Sequence, residues 1–89
     1  MTPEGKIEKA LCDRIKALGG EVRKVQWIGR HSAPDRLVLL PGYHPFVELK
    51  RPKKGAEGAQ IREHARLRKA GFKVMVINSF EQIDEEFPL

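Results

Sequence analysis

The stretch "PFVELKRP", residues 45–52, holds two patterns that conflict in an ordinary strand. Phe46, Val47 and Leu49 mark a buried strand, yet Glu48 and Lys50 interrupt it. Side chains along a strand alternate faces, so Glu48 and Lys50 share one face while Val47 and Leu49 share the other. Either that face meets water and the charges form a solvated pair, or a carboxylate and an ammonium are gathered there for chemistry. What the flanking sequence packs around them decides between the two.

Upstream, "RLVLL" (residues 36–40) is a short buried strand with Asp35 at its head and Pro34 restraining the loop before it. "PGYHP" (41–45) is a turn, and strands in such close succession predict an antiparallel hairpin with its turn near Gly42. That hairpin brings Asp35 within reach of Glu48. Further upstream, "EVRKVQWI" (21–28) is a strand candidate without a clean apolar face, followed by the loop "GRHSAPD". The chain opens with a helix from about Pro3 to Leu18. Thr2 is its N-cap and Ile7, Leu11, Ile15 and Leu18 recur at helical spacing before Gly19-Gly20 ends it.

Downstream, "PKKGAEG" (52–58) reads as a basic loop. A second helix spans about Ala59 to Ala70, with Ile61, His64, Ala65 and Leu67 toward the core. "FKVMVIN" (72–78) is the last strand, and Ser79 with Gln82 caps a short final helix. The order α-β-β-β-α-β-α, with a right-handed parallel crossover from Phe46 to Asn78, predicts an α/β fold in which helices flank a mixed sheet.

The chain's 89 residues fit one domain, 1–89, with one modest core. At 40% hydrophobic and 33% charged residues, it is too apolar for a disordered chain and too polar for a membrane protein. No apolar run approaches a membrane span and the N-terminus has no signal-peptide core, so an intracellular, cytoplasmic protein is expected. The single Cys12 has no cysteine partner and reads as a small buried residue. A net charge of +5 and a pI near 9.7 favour a polyanionic partner. The basic residues cluster at Lys50, Arg51, Lys53 and Lys54, then at Arg62, Arg66, Arg68 and Lys69.

Two carboxylates from adjacent strands, Asp35 and Glu48, suit a hard divalent cation such as Mg²⁺ or Mn²⁺, with the Leu49 carbonyl as a third oxygen donor. Lys50 is placed to offset charge growing on a phosphate under attack. Glu8 falls about 50° from the centre of the apolar stripe of the first helix, where a carboxylate needs a partner. Glu4 shares that face, but in the first turn the helix dipole accounts for it.

Taken together, Glu8, "SAPDRLVLL", "FVELKRP", Gln60 and "RKAGFKVMVI" resemble the virus-type replication-repair nuclease (VRR-NUC) domain, a branch of the PD-(D/E)xK nucleases, from Glu4 to Ile83. Ala33 departs from the pattern, where the family has a small residue that is usually glycine. The resemblance implies a restriction-endonuclease-like core, with Asp35, Glu48 and the Leu49 carbonyl as metal ligands and Lys50 as the catalytic lysine. It implies Glu8 as the helical acid on a metal water or second metal, and Gln60 as a supporting residue touching Lys50 or the phosphate. It further implies an Mg²⁺- or Mn²⁺-dependent endonuclease acting on branched DNA such as four-way junctions, as a homodimer in a bacterial or phage-infected cell.

The residues leave two other classes open. One is a non-catalytic nucleic-acid-binding module using Arg30, Lys53, Lys54 and Arg62 on phosphates, with His31 also placed to touch DNA. The other is an interaction domain whose acidic site is a solvated ion-pair cluster. His44 reads as a turn residue and His64 as a core-edge histidine, without zinc-like spacing. Trp27 and Tyr43 read as packing residues, and Trp27, Phe80 and Phe87 as candidates for an exposed dimer face.

Overall fold

The computed structural model describes all residues from Met1 to Leu89. Its elements are α1 (Pro3–Ala17), β1 (Glu21–Lys24), β2 (Arg36–Leu39), β3 (Phe46–Leu49), α2 (Gly58–Lys69), β4 (Val74–Ile77) and α3 (Phe80–Glu86). The four strands form one sheet in the order β1-β2-β3-β4. The pairs β1–β2 and β2–β3 are antiparallel and β3–β4 is parallel. This is the mixed sheet and element order that the sequence predicts.

The first helix starts where the Thr2 hydroxyl accepts the Gly5 N–H at 3.0 Å. Its stripe of Ile7, Leu11 and Ile15 is buried against Val38, Val47 and Leu49, with Met75, Ile77, Ile83 and Phe87 completing the core. Each such aliphatic side chain contributes about 1.5–3 kcal/mol when fully buried. Arg14 ties α1 to the C-terminus, donating to the Phe87 carbonyl at 2.8 Å and to Asp84 at 2.6 Å. Val47 and Leu49 thus face α1 and α3. Glu48, one residue out of phase with them, faces α2.

Four expectations are corrected. The strand predicted over 21–28 ends at Lys24, after which the Val25 N–H reaches the Asp35 carbonyl at 3.0 Å. Helix α2 has the expected length and buries His64 as expected, but Glu63 is buried with it while Ile61 and Ala65 are exposed. Glu63 finds polar partners in Trp27, Arg30 and Arg66, which hold that side of the helix inward. Cys12 is exposed, because it follows Leu11 one position round the helix from the stripe. Phe87 lies in the core and Trp27 is half-buried, so Phe80 alone of those three presents an exposed ring.

Gly20 fixes how closely α1 approaches the sheet. A Cβ there would lie 2.7 Å from Leu40 Cδ2, and closer still to the Leu39 carbonyl oxygen, which is backbone and cannot yield. Gly20→Ala is therefore expected to destabilise the protein by roughly 2 kcal/mol or more, as overpacking against a fixed backbone does. Urea unfolding read by far-UV circular dichroism checks this, and an unchanged midpoint would show that the α1–β1 junction has slack.

Candidate active site and nucleic-acid surface

The hairpin register places the acids. Arg36 pairs with Val47 and Leu37 with Phe46, so one step further along Asp35 stands opposite Glu48. Directly opposed residues point to the same side of an antiparallel sheet, which puts both carboxylates on the α2 face. Asp35 Oδ1 accepts the Leu49 N–H at 3.1 Å, which fixes its side chain against β3. Lys50 lies just past the end of β3, and its N–H continues the parallel ladder to the Ile77 carbonyl at 2.9 Å.

Glu48 is 4% exposed. Its Oε2 accepts a hydrogen bond from Gln60 Nε2 at 3.4 Å, and the Gln60 Oε1 accepts the Glu57 N–H at 3.0 Å. The amide thus caps α2 with one end and holds the carboxylate with the other. Glu48 Oε1 lies 3.6 Å from His64 Nε2, and both atoms are buried without a hydrogen-bond partner. Burial, followed by the charge of Asp35, raises the Glu48 carboxyl to about 7, with Lys50 opposing the shift. Burial raises Asp35 as well, countered mainly by the Leu49 N–H. Burial and then the Arg68 charge lower His64, which favours its neutral form beside Glu48.

This donor set fits a hard divalent cation. Two carboxylates face each other with one buried oxygen unpartnered, and a cation would relieve both the repulsion and the lost hydrogen bond. No group of three His, Cys, Asp or Glu side chains is positioned to hold a metal alone. Asp35 and Glu48 are the side-chain ligands available, and backbone oxygen such as the Leu49 carbonyl would complete the set.

Glu8 contacts the guanidinium of Arg36, the residue after Asp35. Glu4, one turn earlier, lines a cleft of about 200 Å³ with Lys50, Arg51, Lys54 and Glu57, and its charge reaches Asp35 and Glu48. The structure therefore brings Glu4, not Glu8, to the cleft beside Lys50. Lys54 joins that cleft, its carbonyl held by the Asn78 amide at 2.6 Å, and Lys53 stands exposed next to it in a left-handed conformation.

Arg30, His31 and Arg62 gather elsewhere, around a second cleft of about 310 Å³ between the β1–β2 loop and α2. Sequence reasoning missed the residue that organises it. Glu63, 4% exposed, accepts from Trp27 Nε1 at 2.7 Å, Arg66 Nε at 2.9 Å and Arg30 Nη2 at 3.2 Å. The i, i+3 spacing of Glu63 and Arg66 was the one available signal. The Trp27 ring also packs edge-on to Phe46, centroids 6.1 Å apart, so its packing role stands and its N–H adds a second one.

Opposed acids at a hairpin head, followed by a lysine on the same flank, over a sheet packed between helices, define the PD-(D/E)xK type of nuclease core. A solved structure described as a "VRR_NUC domain" superposes with a TM-score of 0.88 at 46% identity, covering 96% of this chain and 94% of that one. "Putative nuclease p44" of Acyrthosiphon pisum secondary endosymbiont phage 1 is 44% identical over 77 residues, which is 85% of this chain and 83% of the relative. No family model matches the sequence. On these two relationships, the chain belongs to the VRR-NUC nuclease family.

The Glu48 environment has a measurable consequence. Its folded pKa of about 7 lies above the ordinary glutamate value of 4.5, so between those values the folded protein binds a proton that the unfolded chain releases. The stability this contributes is complete at low pH and lost as pH rises through 7. In EDTA, the denaturation midpoint is expected to fall between pH 5.5 and pH 8, and Glu48→Gln is expected to flatten that slope. Parallel slopes in the two proteins would show that Glu48 titrates normally.

Proposed function

We propose that this nuclease is a divalent-metal-dependent endonuclease that hydrolyses DNA phosphodiester bonds, selective for branched DNA such as four-way junctions and working as a homodimer. The observation that carries the reading is the Asp35–Glu48 pair, set opposite each other with Lys50 on the same flank and one buried Glu48 oxygen unpartnered. The basic surface, the family membership and the likeness to a phage protein named as a nuclease support it.

In this mechanism Asp35, Glu48 and the Leu49 carbonyl would hold the cation. Bound there, Mg²⁺ or Mn²⁺ would supply a Lewis acid that activates water and neutralises phosphate charge. Gln60 keeps Glu48 Oε2 in place, and the Leu49 N–H does the same for Asp35. Lys50 faces the open cleft, where its ammonium offsets charge building on the phosphate as water adds and one P–O bond breaks. Glu4 is the acid placed to orient water at the mouth of the cleft. Lys53 and Lys54 contact the flanking backbone, where each phosphate neutralised steepens the salt dependence of binding.

Branch selectivity and dimerisation are linked in this proposal. So small a chain reads little of a junction by itself, whereas a two-fold dimer sets two active sites against its symmetric arms. Exposed Phe72 and Phe80, each about half accessible, are apolar rings available to a second copy.

End-labelled four-way junction and linear duplex, incubated with Mg²⁺, Mn²⁺ or EDTA, test the proposal. Metal-dependent cuts are expected, paired across the junction and faster there than on the duplex. Asp35→Ala and Lys50→Ala are each expected to lower the rate at least about 100-fold, and Gln60→Ala about 10- to 100-fold as a ligand-supporting residue. Cleavage by Asp35→Ala at the wild-type rate would sink the metal-site reading. Salt-sensitive binding without cleavage under any metal would leave a non-catalytic DNA-binding module.

A further inference from the structure

We propose that the cleft between the β1–β2 loop and α2 is a preorganised site for a backbone phosphate of the DNA, separate from the metal site and built on the buried Glu63. The inference rests on the nuclease reading for its ligand, but its geometry stands apart from the catalytic carboxylates.

The loop that forms one wall is long for a connection between paired strands, yet it is pinned at several points. Val25 and Asp35 close its base. Trp27 and Arg30 both donate to Glu63 on α2, and Gly29 and Ser32 adopt left-handed conformations at φ 76° and 70°. A non-glycine residue in that region costs energy unless its surroundings hold it there. The clamp on Glu63 supplies that hold. The loop tip is therefore fixed relative to the helix, and the space between them has a defined shape.

The chemistry of that space is cationic. Arg30, Arg62 and Arg66 line it with His31 and Ser32. Glu63 is the carboxylate among them, and it is saturated: one oxygen takes the indole N–H, and the other takes Arg30 and Arg66. Each of those arginines still has guanidinium N–H groups to spare, because a guanidinium carries five donors and Glu63 engages one or two of them. Arg62 is exposed and enters neither of the Glu63 ion pairs. Three guanidiniums around one satisfied carboxylate leave an excess of positive charge, with the donors of Arg30 and Arg66 already oriented by Glu63. Guanidinium forks match phosphate oxygens in pairs, so the ligand that fits is a phosphodiester.

Position supports the same assignment. Gln60 and His64 on one flank of α2 reach Glu48, while Ala59, Arg62 and Arg66 on another flank line the cleft. The two sites therefore lie on different flanks of one helix, whose diameter with side chains is about 10–12 Å. A strand with its scissile phosphate at Lys50 can lay a neighbouring phosphate between Arg30 and Arg62. Ile28, wholly exposed at the loop tip, would then stand against the sugar and base edges of that strand.

The test is binding in EDTA, where cleavage plays no part, of a short fluorescent DNA duplex over 50–200 mM salt. Arg62→Ala is compared with Arg23→Ala, a change of equal charge at an exposed β1 position outside the cleft. Arg62→Ala is expected to weaken binding about 5- to 10-fold and to reduce the salt slope by about one, with Arg23→Ala close to wild type. The only tryptophan, Trp27, sits on the Glu63 clamp, so its fluorescence is expected to change on DNA binding to wild type and much less in Arg62→Ala. Equal losses in the two variants would reduce the effect to bulk charge and overturn the site, as would wild-type protein that binds no DNA in EDTA. Binding that depends on Arg62 in a protein that never cleaves would uphold this site while refuting the catalytic reading.

Discussion

Two carboxylates opposed across the β2–β3 hairpin repel each other, and their burial makes the repulsion costly. The surrounding fold is arranged to hold them there. One acid is anchored by a backbone N–H of β3, and the other by a glutamine that is itself locked into the first turn of α2. Neither anchor removes the charge conflict. The metal-free protein is left with a carboxyl that keeps its proton up to about pH 7 and with a buried oxygen that finds no partner. Uncompensated polar atoms of this kind are rare in interiors, and they collect where a fold gives up stability for a ligand.

Helix α2 joins this site to the second cleft. Its buried side is polar, with Gln60 and His64 facing Glu48 and Glu63 facing the loop that carries Trp27 and Arg30. An apolar face would pack more strongly but would not fix the helix rotation by hydrogen bonds. With Gln60 and Glu63 both hydrogen-bonded, rotating α2 would break the Gln60 contact and the Glu63 clamp together. The orientation of the Glu48 carboxylate and the shape of the arginine-lined cleft therefore depend on one element.

Legibility in the sequence followed the range of the interactions. Strand order, the hairpin and the opposed Asp35 and Glu48 were readable, because alternation and a short turn fix register locally. The α1 stripe was readable for the same reason, being a repeat within a single helix. Three features were hidden. The inward face of α2 was misread because its buried residues are charged or polar, and their partners lie 12 to 36 positions away in sequence. β1 was drawn too long because nothing in its own composition marks the end at Lys24. The choice between Glu4 and Glu8 was open because both occupy one helix face a turn apart, and only the position of Arg36 separates them.

That last distinction carries into the chemistry. Arg36 follows Asp35 directly, so its side chain must point to the opposite face of the sheet, toward α1. There it meets Glu8, while another nitrogen of the same guanidinium stays 3.8 Å from Asp35 Oδ1. Glu8 thus shares this arginine with Asp35, so that only part of its charge falls on the hairpin acid. Glu4 instead lines the cleft beside Lys50, where its charge adds to that of Asp35 and Glu48. The two helical acids therefore act differently on the same pair of carboxylates: one draws a neighbouring cation away, and the other deepens the negative charge.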